Sequence, residues 1–402
     1  MKPQRGLGPV IVLVLAGCGA EVTTAPPNHT TSPPSAAAPA SSVSTSPDAS
    51  RSATASPPIS CDDRATSALV AYGDADDLWL YDVATDTSRQ LTHDGEGQSE
   101  WLPAFAGAGC LVYAKDGPAI ELLDLIPGGG SRTLVAEVGT ITHLAVSPDG
   151  TTLLYLHIDF DVDSTYRLKR VELGGGEPVV MHTFSPNLGR GGSSEDEVSI
   201  AWSPDGSSIL VANTHEFSRE FENGAIYIFD ATAGGIVAKW KGTHPRWSPD
   251  GETVYFRGFA NQDDQGWFAM RLRTMNRTKV GFRPGTNNLV VSPDGRYVAY
   301  DTSSIGDIPM GVVVTGKPPT VYLYDVRRAR EELVLRGGIQ PLWIAADRLV
   351  ATNVSQGAPN PNTFGAPWWD PLGTVASISL DGASQSIAMT STIFDAAVSL
   401  PN

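Results

Sequence analysis

The chain has 402 residues, 41% of them hydrophobic, with 41 Gly and 30 Pro, enough for one large β domain with a full core. Lys and Arg number 28 against 44 Asp and Glu, a net charge of −16. A surface that acidic is expected to repel phosphate backbones and anionic lipid alike, and it excludes nucleic acid as an expected partner.

At the amino terminus Lys2 and Arg5 precede the apolar run Val10-Ile11-Val12-Leu13-Val14-Leu15, which is too short to span a bilayer as a helix and is placed like the core of a signal peptide. The run ends in Leu15-Ala16-Gly17-Cys18, which resembles the lipobox of bacterial lipoproteins. The resemblance implies a signal peptide over residues 1–17, a diacylglycerol thioether on Cys18 and a mature chain of net charge −18 once Lys2 and Arg5 are gone. Such a chain is extracytoplasmic, held on the bacterial cell membrane without crossing it. Residues 18–60 are then expected to be the lipidated Cys followed by a Pro, Ser, Thr and Ala tether, a composition with too few large apolar residues to offset the entropy of ordering. Beyond Cys18 only Cys61 and Cys110 remain, and in an oxidising compartment these two are expected to pair, the alternative being two buried thiols.

From residue 61 on, the chain is organised by Ser-Pro-Asp-Gly, at Ser147–Gly150, Ser203–Gly206, Ser248–Gly251 and Ser292–Gly295. Pro presets φ, Asp bonds its own backbone two residues on, and Gly accepts positive φ, so each copy is a tight turn. Apolar strands flank it, such as Ile200-Ala201-Trp202 before and Ile209-Leu210-Val211 after, and a hairpin repeated in this way implies stacked sheets. Trp-Ser-Pro-Asp-Gly, an apolar strand, and a further strand such as Ile226-Tyr227-Ile228-Phe229-Asp230 together resemble the WD40-like (PD40) repeat of TolB-type β-propellers, over roughly residues 61–402.

Degenerate copies at Trp101–Phe105 and Leu342–Ile344, and incomplete ends at Ala68–Thr92 and Asp395–Pro401 that complete each other, give seven inner strands. The fold expected is all-β, a seven-bladed propeller of four-stranded antiparallel blades closed by the C-terminal strand. About 340 residues over seven blades is roughly 49 each, near the usual repeat length; six or eight blades are the alternatives.

Function is expected on one rim. The second-to-third connections lengthen at roughly 157–165, 213–224, 257–266, 302–319 and 353–373, all opening on the same face. They offer Asp159, Asp161, Asp163, Trp267, Trp368, Trp369 and Asp370, aromatic planes beside carboxylates, which suit peptides, sugars or cations. The spacing of the three Asp is like the start of a calcium loop but lacks its Gly and has Arg170 at the bidentate Glu position. A second candidate is a ring around the channel, five residues before each turn Pro or its equivalent: Gln98, His143, Ser199, His244, Asn288, Gln340 and Asp395. These could ligate a metal or transfer a proton, or simply form a wet polar funnel.

No hydrolase elbow, zinc-protease or phosphate-loop motif is present. No catalytic residue, metal or cofactor is assigned. The expectation is a monomeric binding or scaffold propeller for an envelope protein, peptide or glycan. The alternatives are a lyase or hydrolase on sugars or lactones using the channel ring, and a structural spacer.

Overall fold

In a computed structural model the residues described are 61, 67–74, 77–93, 100–115, 118–126, 128–159, 165–184, 198–213, 224–259, 265–283, 285–303, 313–314, 317–356, 368–381, 383–389 and 396–400. The chain divides into Met1–Ser56 and a compact unit Pro57–Asn402. Cys18, Gln98, Asp161, Asp163 and Asp395 lie outside the described residues.

The compact unit is a seven-bladed β-propeller. Blade 1 takes Ala396–Ser399 as its inner strand, then Leu69–Asp74, Asp77–Asp82 and Thr87–Gln90. Blade 2 runs Glu100–Phe105, Cys110–Lys115, Ala119–Asp124, Ser131–Ala136. Blade 3 runs Thr140–Val146, Thr152–Asp159, Thr165–Glu172, Val179–Thr183. Blade 4 runs Val198–Trp202, Ser208–Asn213, Ala225–Asp230, Ile236–Lys241. Blade 5 runs Thr243–Trp247, Thr253–Phe259, Gln265–Arg271, Asn276–Lys279. Blade 6 runs Asn287–Val291, Tyr297–Asp301, Thr320–Asp325, Arg330–Arg336. Blade 7 runs Gly338–Ala345, Arg348–Gln356, Trp368–Ser379, Ser384–Ser386. The C-terminal strand pairs antiparallel with Leu69–Asp74, Val398 opposite Val70, and so closes the ring as the incomplete ends predict.

Burial explains why the second strands read as continuous apolar runs. In Thr152–Asp159, Leu153 and Tyr155 pack toward blade 2, while Leu154 and Leu156 pack toward blade 4. Strand alternation thus feeds two interfaces at once, and both faces must be apolar. The same partition gives a hydrophobic cluster at each of the seven interfaces between neighbouring blades.

The Ser-Pro-Asp-Gly turns close by side-chain chemistry. Ser147 Oγ donates to Asp149 Oδ1 at 2.5 Å and accepts the Thr152 N–H at 2.9 Å, while Asp149 also accepts the Thr151 N–H at 3.1 Å. The other copies repeat this pattern, each Gly at a φ near +70°. The Trp preceding two of them ties blade to blade: Trp202 Nε1 donates to Ala145 O at 3.0 Å and Trp247 Nε1 to Ala201 O at 3.5 Å. Cys61 and Cys110 form a disulfide, and a methyl group at Gly107, in the first turn of blade 2, would meet the Cys61 carbonyl. Cys61 therefore sits on the rim of short turns.

Candidate functional site

The ladder register fixes the ring. In the blades with a Ser-Pro-Asp-Gly turn the inner-strand residue just before the turn faces the second residue of the second strand, as in Val146↔Leu153, Trp247↔Val254 and Val291↔Val298. Counting three back gives His143, Ser199, His244, Asn288 and Gln340 at one height, as expected from the sequence. Blade 2 differs. Its turn, Ala106–Gly109, is one residue shorter and has no Pro, so Pro103 belongs to the strand and the residue at ring height is Leu102, not Gln98. The ring is therefore not polar throughout. Leu102, His244, Asn288 and Gln340 share a left-handed φ of 47–56°, each at a break in the ladder where the inner strand carries an extra residue.

The ring's most elaborated part was not anticipated. Asp301 ends the second strand of blade 6 with no exposure, and four donors converge on its carboxylate. Asn288 Nδ2 and the Gln340 backbone N–H reach Oδ2 at 2.9 and 2.6 Å, and Ser303 N–H and Oγ reach Oδ1 at 2.9 and 2.6 Å. Burial holds this carboxyl above its usual range, and the hydrogen bonds offset only part of that. At the same height the other blades carry Gly73, Ala114, Leu156, Ala212, Arg257 and Thr352. An acid ending an apolar strand, beside the polar Asn288, was the signal available in the sequence.

His244 is the blade 5 counterpart of Asn288 on the inner strand, its Nδ1 3.0 Å from Thr243 Oγ1. Burial and then the charges of Arg246 and Arg257 push its pKa down to about 4, so the imidazole is neutral near pH 7. His143 Nδ1 is 3.2 Å from Thr142 Oγ1. Among the described residues no group of three or more His, Cys, Asp or Glu is placed to hold a metal ion. Near the turn rim a cavity of about 320 Å³ is walled by Trp247, Trp343, Val290, Leu342, Pro249 and Leu400.

On the opposite rim the connections are less uniform than expected. In blades 3 and 5 the strands run on to Asp159 and Phe259 and resume at Thr165 and Gln265, so only five residues intervene in each. The wide gaps are those of blades 4, 6 and 7, between Asn213 and Ala225, Asp301 and Thr320, and Gln356 and Trp368. The link from Thr183 to Val198, between blades 3 and 4, leaves the same rim and was missed. Trp267 is not a loop residue. It is buried in the third strand of blade 5, donates from Nε1 to Thr286 O at 3.2 Å and packs on Phe282, because the strand starts two residues earlier than the acidic stretch before it implied. Asp159 closes the second strand of blade 3 opposite Thr165. Trp368, Trp369 and Asp370 open the third strand of blade 7 rather than a loop. Trp369 pairs with Gln356, and Val313–Val314, from the blade 6 connection, pair with Trp369 and Trp368. The wide connection of blade 6 is thus joined by backbone hydrogen bonds to the start of the third strand of blade 7.

No protein-family profile matches the chain, and no curated protein sequence matches it. Among solved structures, an oligogalacturonate lyase in complex with manganese is similar at 16% identity and a TM-score of 0.52, covering 73% of this chain and 82% of that one. The oligogalacturonate lyase of Vibrio parahaemolyticus matches at 14% identity and a TM-score of 0.51, covering 76% and 91%. TolB from Acinetobacter baumannii matches at 14% and 0.47, covering 82% of each chain. At such identities the likeness is one of fold.

Proposed function

We propose that this chain is an exported, lipid-tethered propeller that works by binding an envelope protein, peptide or glycan on the rim of its wide connections. The supporting observation is the asymmetry of the two rims. One carries four near-identical Ser-Pro-Asp-Gly turns whose Ser and Asp side chains are occupied by each other and by their own backbone. The other sends out the wide gaps of blades 4, 6 and 7, with Val313–Val314 stitched to Trp368–Trp369. Variation on one side of a rigid scaffold is where recognition is commonly built. The test is crosslinking of the anchored protein in its native envelope, comparing wild type with Trp368→Ala plus Trp369→Ala and with Thr85→Ala on the turn rim. Partners lost only with the Trp pair support the reading, and identical partner sets for all three remove it.

An enzymatic reading stands beside it because His143 and the neutral His244 share one height on inner strands, and imidazole can take a metal or a proton. Manganese is the metal to try first, since one similar fold was solved with it. Stoichiometric manganese or zinc, lost on His143→Ala plus His244→Ala, would favour that reading over binding alone.

A further inference from the structure

The net charge conceals a reversed sector. Residues 271–283, the outer part of blade 5, carry Arg271, Arg273, Arg277, Lys279 and Arg283 and no acid. Residues 327–336, the outer part of blade 6, carry Arg327, Arg328, Arg330 and Arg336 against Glu331 and Glu332. Nine cations against two acids is a local charge of +7 in a chain of −16, and all nine cations are exposed. Adding Arg296 and the nearby turn acids Asp250, Glu252, Asp294 and Asp325 still leaves +4. The two stretches are one surface. Phe282 packs edge-on to Tyr324 at 5.0 Å, and Arg283 pairs with Glu331 while its guanidinium lies 4.3 Å from the Tyr322 ring centre. Two of the chain's exposed large apolar side chains, Met275 at 44% and Leu333 at 39%, stand among the cations.

We infer that this sector of blades 5 and 6 docks on the anionic phospholipid surface of the membrane that carries the protein. Eight of the nine cations are arginines, whose planar forks suit phosphate oxygens, and exposed apolar side chains between them suit the headgroup boundary. The inference rests on the lipid-tether reading. On that reading the bilayer is present at high effective concentration, so a weak surface suffices. Each cation near an anionic surface contributes about a fivefold gain, screened by salt. Docking by this edge leaves the rim of wide connections free to one side, and the acidic remainder of the surface disfavours other poses.

The test uses residues 19–402, which hold the whole propeller and no lipid, floated with phosphatidylcholine vesicles with and without phosphatidylglycerol. Expected are binding to the anionic vesicles alone, its loss on raising salt, and at least a tenfold weakening in a variant carrying Arg273→Gln, Arg277→Gln, Arg327→Gln and Arg330→Gln whose melting is unchanged. Equal binding to both vesicles, no binding, indifference to salt, or retention on single-stranded DNA without vesicle binding would overturn it. Should the variant melt early, the salt titration of the wild type decides. Fatty-acid labelling of the full chain, with Cys18→Ala as control, tests the tether separately: labelled protein whose propeller ignores vesicles sinks the docking surface and keeps the anchor, and the converse result does the reverse.

Discussion

Replacing Asp301 tests whether the polar end of the channel is a satisfied buried network. In Asp301→Ala the Gln340 N–H, the Asn288 amide and the Ser303 N–H and hydroxyl lose their common acceptor, with Ser303 fully buried and Asn288 and Gln340 half-buried. Buried donors left without partners cost about 1–3 kcal/mol each. Part is returned, because an expensive buried carboxyl is removed as well. The net expected is about 3 kcal/mol, a fall in Tm of roughly 6 °C for a chain of this size. Asp301→Asn keeps one acceptor oxygen and should lose about half as much. The pH dependence separates the two further. Burial raises the folded carboxyl above its unfolded value, so the folded protein holds a proton that the unfolded chain has released, and this group's contribution is lost as pH rises through the folded pKa. The Asn variant, which cannot ionise, should lack that slope. Calorimetric melting of wild type and both variants across the acid range is the assay. An Ala variant melting within about a degree of wild type, or an Asn variant that keeps the slope, would show that water reaches the carboxylate and that the donors are satisfied without it.

Three further outcomes are expected. Reduction of Cys61–Cys110, which closes a loop of sequence separation 49, should cost about 4 kcal/mol in the chain-entropy model, read as a drop in Tm with dithiothreitol that a Cys61→Ser variant reproduces without it. His244, held near a pKa of 4, binds no proton where an unfolded histidine does, so stability should be full above pH 6.5 and fall by up to about 3 kcal/mol as pH drops toward 4; His244→Gln should flatten that part of the denaturant-midpoint profile, and an unchanged slope would mean the ring is solvated. Ending the chain after Phe394 removes the inner strand of blade 1 and uncovers Val70 and Tyr72, and size-exclusion chromatography should show aggregates in place of a folded monomer.

What could be read in the sequence was whatever local chemistry decides. The Ser-Pro-Asp-Gly turns were legible because Ser and Asp bond backbone within five residues, and the closing strand because two incomplete blades leave one way to complete both. The ring register failed in blade 2, where the shortened turn has no signature and Pro103 was the nearest substitute. Trp267 was misplaced because the acids before it mark a connection whose end is set by pairing with Arg257, a long-range contact no local pattern reveals. Asp301 needed the neighbouring blade: the Gln340 N–H that helps hold it comes from 39 residues away. The cationic sector was legible in principle, since residues 271–283 contain no acid, but a whole-chain charge averages it away.

Blade 6 collects the departures from the repeat, and their energetic character says what they are for. It has Val291 where three other inner strands carry a Trp before the turn, it buries an acid where blade 5 has the half-buried Arg257 and blade 7 the buried Thr352, and it lends Val313–Val314 to blade 7. A buried carboxylate with four donors is at best near break-even against an apolar replacement, so stability alone does not explain it. Its bonds are directional, however, where apolar packing is not. They hold the left-handed backbone at Asn288 (φ 47°) and reach that at Gln340 (φ 52°), which fixes the inner strands of blades 6 and 7 relative to each other at the channel end. Directly beyond that end leave the wide gaps Asp301 to Thr320 and Gln356 to Trp368, and Val313–Val314 tie the first of them to the third strand of blade 7. The network therefore stabilises geometry between two blades more than it stabilises the fold. Asp301→Asn should accordingly loosen that rim before it unfolds the protein, with amide exchange rising at Gln340, Val313 and Val314 while the blade 3 and blade 4 strands stay protected. Uniform loss of protection around the ring would contradict this.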